Sequence, residues 1–380
     1  MQTLSPRAPQ PLERARHDNA DDDAARADLA ACREQLRNGS RTFLAASLLL
    51  PRRVREPACA LYAFCRAADD AVDEQGARSD AVARLRDRLA RVYQGRPMPL
   101  AADRALAHVV ARFDIPRLIP EALLDGFEWD AQGRCYETLD ELHAYAARVA
   151  GTVGAMMALL MGVRSAAGLA RACDLGVAMQ LSNIARDVGE DARLGRIYLP
   201  RQWLREAGIE PEAWLARPVF NAALASVVQR LLHEADGLYE RVDAGVAELP
   251  LSCRAGINAA RFLYADIGHE VARRGLDSVT QRAVVPPSRK ARLLARALLH
   301  ISAAPAGPTA PPLAATRFLV DAVTGSMRVL TTAAPRELHA ASPAPQEPPW
   351  WDIPGRAVWV LDLFERLSQR EQARRSAPLS

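Results

Sequence analysis

The sequence predicts an all-α fold, a single domain built as a helical bundle. Helical periodicity runs through most of its 380 residues, strand-like alternation is nearly absent, and its glycine and proline breakers fall at helix-length intervals. Between about Asp28 and His300 those breakers are Pro51, Pro57, Gly95-Arg-Pro97-Met-Pro99, Ile115-Pro116, Pro120, Gly133, Gly208 to Pro211, Pro250 and Pro286-Pro287. They outline roughly eight to eleven helices.

Taken in order, residues 1–25 hold Pro6, Pro9, Pro11 and many charges, and are expected to be disordered. Residues 26–302 are expected to form one helical domain. Within it Ala60-Leu61-Tyr62-Ala63-Phe64 reads as buried helix. Val149 to Val163 is an uncharged run of 15 residues rich in Gly, Ala and Met. It is too short to span a bilayer and reads as another buried helix. Residues 303–354 change character, with nine prolines between Pro305 and Pro349, and are expected to be a linker or a loosely docked extension. Residues 355–380 hold a helix from Gly355 to Arg375 and a tail. Val358, Leu361, Phe364 and Leu367 form its narrow apolar stripe, beside Arg366, Arg370, Arg374 and Arg375. Such a helix suits docking on the protein's own body or on a membrane surface.

Charge and cysteine usage narrow the function classes. Lys+Arg 49 against Asp+Glu 45 gives +4, too balanced for a nucleic-acid-binding footprint. Lys290 is the one lysine, so nearly all basic groups are guanidiniums, whose planar fork suits phosphate oxygens. Cys32, Cys59, Cys65, Cys135, Cys173 and Cys253 show no CxxC and no metal-ligand spacing. They suggest no disulfide framework and fit a reducing compartment. No apolar h-region follows the N-terminus, so a cytoplasmic location is expected.

The chemistry is concentrated in one acidic pattern that occurs twice. The first copy is Tyr62-Ala-Phe-Cys-Arg66-Ala-Ala-Asp69-Asp70-Ala-Val-Asp73-Glu74, and the second is Gln180-Leu-Ser-Asn183-Ile-Ala-Arg186-Asp187-Val-Gly-Glu190-Asp191. In each, two aspartates four residues apart share one helix face, about 5–6 Å from each other. Exposed, such a pair is ordinary. Here both copies sit in apolar helical sequence with an arginine nearby, and Gln180 and Asn183 align with Asp187 on one face. Uncompensated buried carboxylates are costly, so a cation is expected between them. Paired hard oxygen ligands favour Mg²⁺, which usually shares its shell with substrate phosphates. That points to diphosphate chemistry.

These motifs resemble the squalene/phytoene synthase family, the trans-isoprenyl diphosphate head-to-head synthases. The resemblance runs from about Ser40 to Arg296. It is carried by Ser40-Arg-Thr-Phe43, the two acidic motifs, Tyr145 with Val-Ala-Gly151-Thr-Val-Gly154, Gly195-Arg-Ile-Tyr198-Leu-Pro200 and Gly275-Leu-Asp-Ser-Val-x-x-Arg282-Ala-Val-Val285. The last two segments look most like bacterial phytoene synthases.

The resemblance implies an isoprenoid-synthase-type bundle around a central cavity. It implies condensation of two geranylgeranyl diphosphates, through prephytoene diphosphate, to phytoene in carotenoid biosynthesis. Asp69, Asp73, Asp187 and Asp191 would hold Mg²⁺, or Mn²⁺ in its place, with Asn183 as a further ligand. Ser40, Arg41, Arg66, Gln180, Arg186 and Arg282 would bind substrate diphosphate. Tyr62, Tyr198 and Tyr264 would line the substrate site, and Tyr145 would act in catalysis. No side chain is named as base for the final proton loss. Glu128 and Asp130 lie in a region often acidic in the family, without an implied role.

No NADPH is expected, and no Gly-rich dinucleotide fingerprint is visible. The expected partners are isoprenoid diphosphates, a membrane surface at the inner face and other carotenoid-pathway enzymes, with no nucleic acid. A squalene or dehydrosqualene synthase using farnesyl diphosphate is the near alternative. A chain-elongating synthase should repeat Asp-Asp-x-x-Asp in its second motif, which Arg186-Asp187-Val-Gly-Glu-Asp191 does not. A non-catalytic scaffold relative should have eroded carboxylates, and all four are present.

Overall fold

The computed structural model describes residues 11–39, 41–73, 78–301 and 310–327, with side chains described for 24–38, 43–68, 80–301 and 310–325. Among them all regular structure is helical. The N-terminal half holds α1 (Pro11–Gly39), α2 (Arg41–Ser47), α3 (Arg52–Asp73), α4 (Arg78–Tyr93), α5 (Ala101–Arg112) and α6 (Leu118–Ala131). Next, α7 (Leu139–Ala146) passes through a π-turn at Ala147–Gly151 into α8 (Thr152–Leu160), followed by α9 (Ala166–Arg193). The remainder comprises α10 (Arg201–Glu206), α11 (Pro211–Ala216), α12 (Ala222–Val246), α13 (Leu251–Arg273), α14 (Pro287–Leu299), a 3₁₀ turn at Ala314–Thr316 and α15 (Arg317–Met327).

The segments outnumber the helices expected from the breakers for local reasons. The interval between Gly133 and Gly208 holds α7 to α10 and the one between Pro211 and Pro250 holds α11 and α12, while the π-turn divides what reads as one apolar run. Most prolines do mark helix starts: Pro51 precedes α3, Pro211 opens α11, Pro250 caps α13 and Pro286-Pro287 open α14. Pro120 falls in the first turn of α6, and Pro57 sits deeper within a helix. It lies inside α3, near the N-terminal end, where its missing N–H removes one helical hydrogen bond and does not break the element.

Helix α9 is the spine. It packs along α12, α8 and α13 and divides two apolar cores. The walls close tightly because a Cβ on Gly154 would meet the Ala172 carbonyl oxygen at 2.1 Å, and one on Gly176 would meet that of Ala150 at 2.2 Å. Only glycine allows helix backbones this close.

Two boundaries differ from the sequence expectation. Residues 11–25, expected to be disordered, are helical as the first half of α1. Pro11 supplies a pre-set first turn, and the Ala, Arg, Glu and Leu that follow are good helix formers. Farther along α1, Cys32 and Leu36 are buried and Asp28 pairs with Arg104 at 2.5 Å.

The second difference is at 310–327, expected to be a linker or a loosely docked extension. It docks on the core: Leu319, Val320 and Val323 are buried against the N-terminal core, and α15 contacts α6, α8 and α9. Prolines flank this apolar stretch without interrupting it. Leu319→Ala is therefore expected to destabilise the protein by about 3 kcal/mol in a urea titration, as a buried leucine truncation does. A change under about 0.5 kcal/mol, the usual size at a surface site, would show that α15 is peripheral to stability. The rest of the expected linker and the helix expected at 355–375 lie outside the described residues. No helix among the described residues is long and apolar enough to cross a membrane.

Candidate active site

Helix α9 begins at a Ser165 cap, whose side chain accepts from the Gly168 N–H, and carries the site residues at its far end. Gly168, Ala172, Leu175, Gly176, Met179, Gln180 and Asn183 share the face that lines a cavity of about 210 Å³. Opposite stand Val153 and Met157 of α8, Val242 and Val246 of α12, Ile257 and Tyr264 of α13, and Phe43 with Ser47 of α2. Gly168 and Asn183 are 15 residues apart, so the cavity follows α9 for about 22 Å at 1.5 Å per residue. It is long and apolar, with Gln180, Asn183 and Tyr264 supplying polar atoms at one end.

One turn past Asn183, Asp187 is clamped by two guanidiniums. Arg186 donates from Nε to Oδ1 at 2.7 Å and from Nη2 to Oδ2 at 2.5 Å. Arg282 donates to the same two oxygens at 2.8 and 3.3 Å, and its Nε lies 3.1 Å from Glu190 Oε2. Burial alone would push the Asp187 carboxyl up, but the two guanidiniums outweigh it and hold the group below its ordinary range.

Arg282 comes from 95 residues away, and Gly189 makes that meeting possible. A Cβ there would lie 2.2 Å from the Val279 carbonyl oxygen, so only glycine lets the 275–285 loop rest on α9. The Gly189 N–H donates to the Ser278 carbonyl at 2.9 Å. The loop is shaped by Gly275 at φ 74° and Leu276 at φ 64°, and by Asp277, whose Oδ1 accepts from the N–H groups of Val279 and Thr280.

Asp191 is half-buried one turn further on. Burial and the charge of Asp187 push its carboxyl up to about 7, against the opposing pull of Arg196. The two carboxylates thus differ: one is fixed as an anion, while the other resists ionisation until a cation approaches. The Oδ1 of Asn183 is buried and has no hydrogen-bond partner. A hard oxygen left open beside two carboxylates fits a Mg²⁺ site. Among the described residues no group of three or more His, Cys, Asp or Glu is arranged to hold a metal. The side chains of Asp69 and Asp73 lie outside those residues; their backbone ends α3.

The predicted tyrosines divide into two groups. Tyr264 lines the cavity, and Tyr62 stacks on Phe43 of the cavity wall with ring centroids 5.7 Å apart. Tyr145 and Tyr198 gather instead around Asp130, donating to Oδ2 at 2.9 Å and Oδ1 at 2.7 Å. Tyr136 completes this aromatic cluster, 5.0 Å from Tyr145 and 6.1 Å from Tyr198 between ring centroids. Burial, then the Asp130 charge, pushes both donating phenols upward, so they stay protonated. The role of Asp130 is not visible in sequence because its partners lie 15 and 68 residues away. Among the remaining predicted contacts, Arg66 is exposed on α3, Arg41 opens α2 with its side chain outside the described residues, and Ser40 lies outside them altogether.

Comparison with known proteins agrees with this geometry. The profile of the squalene/phytoene synthase family matches residues 36–290. The chain is 55% identical over 313 residues to a phytoene synthase of Cereibacter sphaeroides, covering 78% of this chain and 88% of that protein. It is 52% identical over 323 residues to a phytoene synthase of Rhodobacter capsulatus, covering 83% and 92%. A crystal structure of a dehydrosqualene synthase superposes with a TM-score of 0.67 at 30% identity, covering 73% of this chain and 97% of that one. The matched segment spans most of the chain and includes α9 and its arginine clamps, and the protein belongs to the squalene/phytoene synthase family.

Proposed function

We propose that the protein condenses two geranylgeranyl diphosphates head to head, through prephytoene diphosphate, to phytoene in carotenoid biosynthesis. The observation that carries this reading is the polar end of α9. Asn183, Asp187 and Asp191, with Arg186 and Arg282, stand where an apolar cavity about 22 Å long begins. A molecule with an anionic head and a long hydrocarbon tail satisfies both parts. The 55% and 52% identity to phytoene synthases favours the C20 substrate.

Asp187, Asp191 and Asn183, with Asp69 and Asp73 from α3, would hold Mg²⁺, or Mn²⁺ in its place. When bound, the metal supplies Lewis-acid neutralisation of the departing diphosphate. Arg186, Arg282 and Arg66 would take up the remaining negative charge, with Ser40, Arg41 and Gln180 orienting the diphosphates. Met157, Leu175, Met179 and Ile257 line the cavity with apolar surface, which excludes water and lets an allylic cation survive until the second double bond attacks. Tyr264 on the cavity wall would offer its ring face to that cation, with Tyr62 stacked behind Phe43. Tyr145 and Tyr198 would act from the Asp130 cluster as neutral phenols. No reductant is needed, so NADPH is not a cofactor in this reading. The site of action is the cytoplasm, with contact at a membrane surface and with other carotenoid-pathway enzymes, because a C40 hydrocarbon has no favourable place in water.

The second reading, a dehydrosqualene or squalene synthase using farnesyl diphosphate, draws on the 30% likeness to the dehydrosqualene synthase structure. Competition between equal C15 and C20 diphosphates decides the two. Preferential consumption of the C20 diphosphate supports phytoene synthesis, and preferential consumption of C15 overturns the substrate assignment.

Asp191 also gives the metal site a pH signature. Its folded value, about 7, exceeds the ordinary 3.8. Protonation therefore stabilises the metal-free fold at low pH, and that stabilisation is lost as pH rises through about 7. Mg²⁺ competes with this proton, so the rise in Tm on adding Mg²⁺ is expected to be larger at pH 8 than at pH 6. Asp191→Asn should flatten the difference. Equal shifts at both pH values in the wild type would remove Asp191 from the metal site.

A further inference from the structure

The cavity's other end is formed by Met161, Gly168, Arg171, Gly245, Val246 and Leu249. Arg171 joins this lining to a buried ion cluster. Arg171 is 2% exposed and Asp174 is fully buried, and the Nε atoms of Arg171 and Arg241 each lie 2.9 Å from Asp174 Oδ2. Both guanidiniums also donate to the Pro311 carbonyl, at 3.2 and 2.6 Å. The Arg171 stem is locked against α12, where a Cβ on Gly245 would meet Arg171 Cβ at 2.3 Å.

Such an end differs physically from one made of leucine and methionine alone. An apolar wall can repack around a longer ligand at modest cost. Displacing one member of a buried ion cluster leaves uncompensated charge in the interior, which costs several kcal/mol. The cluster therefore makes this end unyielding.

Its position also sets a length. Arg171 and Gly168 lie 12 and 15 residues before Asn183, about 18 and 22 Å along α9. Four carbon–carbon bonds of about 1.5 Å advance a zigzag chain about 5 Å per isoprene unit. Four units then reach about 20 Å, and a fifth would overrun the end. We propose that the Arg171–Asp174–Arg241 cluster, latched to the Pro311 carbonyl, is the stop that limits the cavity to chains of four isoprene units. This rests on the reading of the protein as a prenyl diphosphate condensing enzyme.

The test compares kcat/KM for geranylgeranyl diphosphate with that for its C25 homologue, geranylfarnesyl diphosphate, using the full chain with Mg²⁺. Arg171→Met keeps the stem, removes the charge and leaves Asp174 paired with Arg241. Its C20-over-C25 selectivity is expected to fall at least about tenfold, the scale on which apolar pockets discriminate chain length. Arg171→Lys retains the charge and should hold selectivity near the wild-type value. If Arg171→Met yields no soluble protein, Arg241→Met on the more exposed arm carries the same expectation. A folded Arg171→Met or Arg241→Met with unchanged selectivity overturns the proposal, including one in which both substrates slow equally, since that marks a merely structural cluster. A wild type that converts no C20 diphosphate would instead overturn the functional reading beneath it.

Discussion

Asp187→Asn is expected to lower kcat at least about 1,000-fold, at the upper end of what one preorganised electrostatic group supplies. The substitution preserves shape and removes charge. Three losses coincide: the proposed anionic metal ligand, the partner of Arg186 and the anchor of Arg282. The fold should survive, because Arg282 is half exposed and can turn to water. Circular dichroism and Tm close to wild type, with product formation lost, is the expected pairing. Activity within tenfold of wild type would reduce Asp187 to a loop anchor.

Gly189→Ala is expected to lower activity about a hundredfold, the scale of losing groups that orient metal ligands. Inside a helix this change normally stabilises by up to about 1 kcal/mol. Here the new Cβ would lie 2.2 Å from the Val279 carbonyl oxygen and 2.7 Å from its Cα, both backbone atoms that cannot rotate away. The 275–285 loop must lift, the Gly189 to Ser278 hydrogen bond is lost and Arg282 is drawn from Asp187. Gly237→Ala on α12 is the control, since a Cβ there meets nothing within 4 Å. It should keep activity and match or exceed wild-type stability. A fully active Gly189→Ala would show that the docked loop is unnecessary for turnover.

How much of this was legible in the sequence depended on contact range. The alignment of Gln180, Asn183, Asp187 and Asp191 was readable because helical spacing is local, and the structure puts Gln180 and Asn183 on the cavity wall as that spacing requires. Arg282 was reachable only through family resemblance, since its 95-residue contact leaves no periodic trace. Asp130 stayed without a role for the same reason, although it accepts from two of the predicted tyrosines. The ion cluster at the cavity end was invisible too, since only folding brings Arg241 and Pro311 to Arg171 and Asp174. Composition misled at both ends. Prolines and charges suggested disorder where α1 forms, and prolines suggested a linker or loose extension where α15 packs into the core. A Pro at a helix start and a Pro in a linker look the same in one sequence.

The most direct measurement is incubation of the purified full chain with radiolabelled geranylgeranyl diphosphate and Mg²⁺, without NADPH, followed by chromatography of the hydrocarbon extract. A C40 product that disappears on chelation and in Asp187→Asn is the predicted result. Wild-type protein that leaves the C20 diphosphate unconsumed, with detergent or lipid supplied, would contradict the assignment.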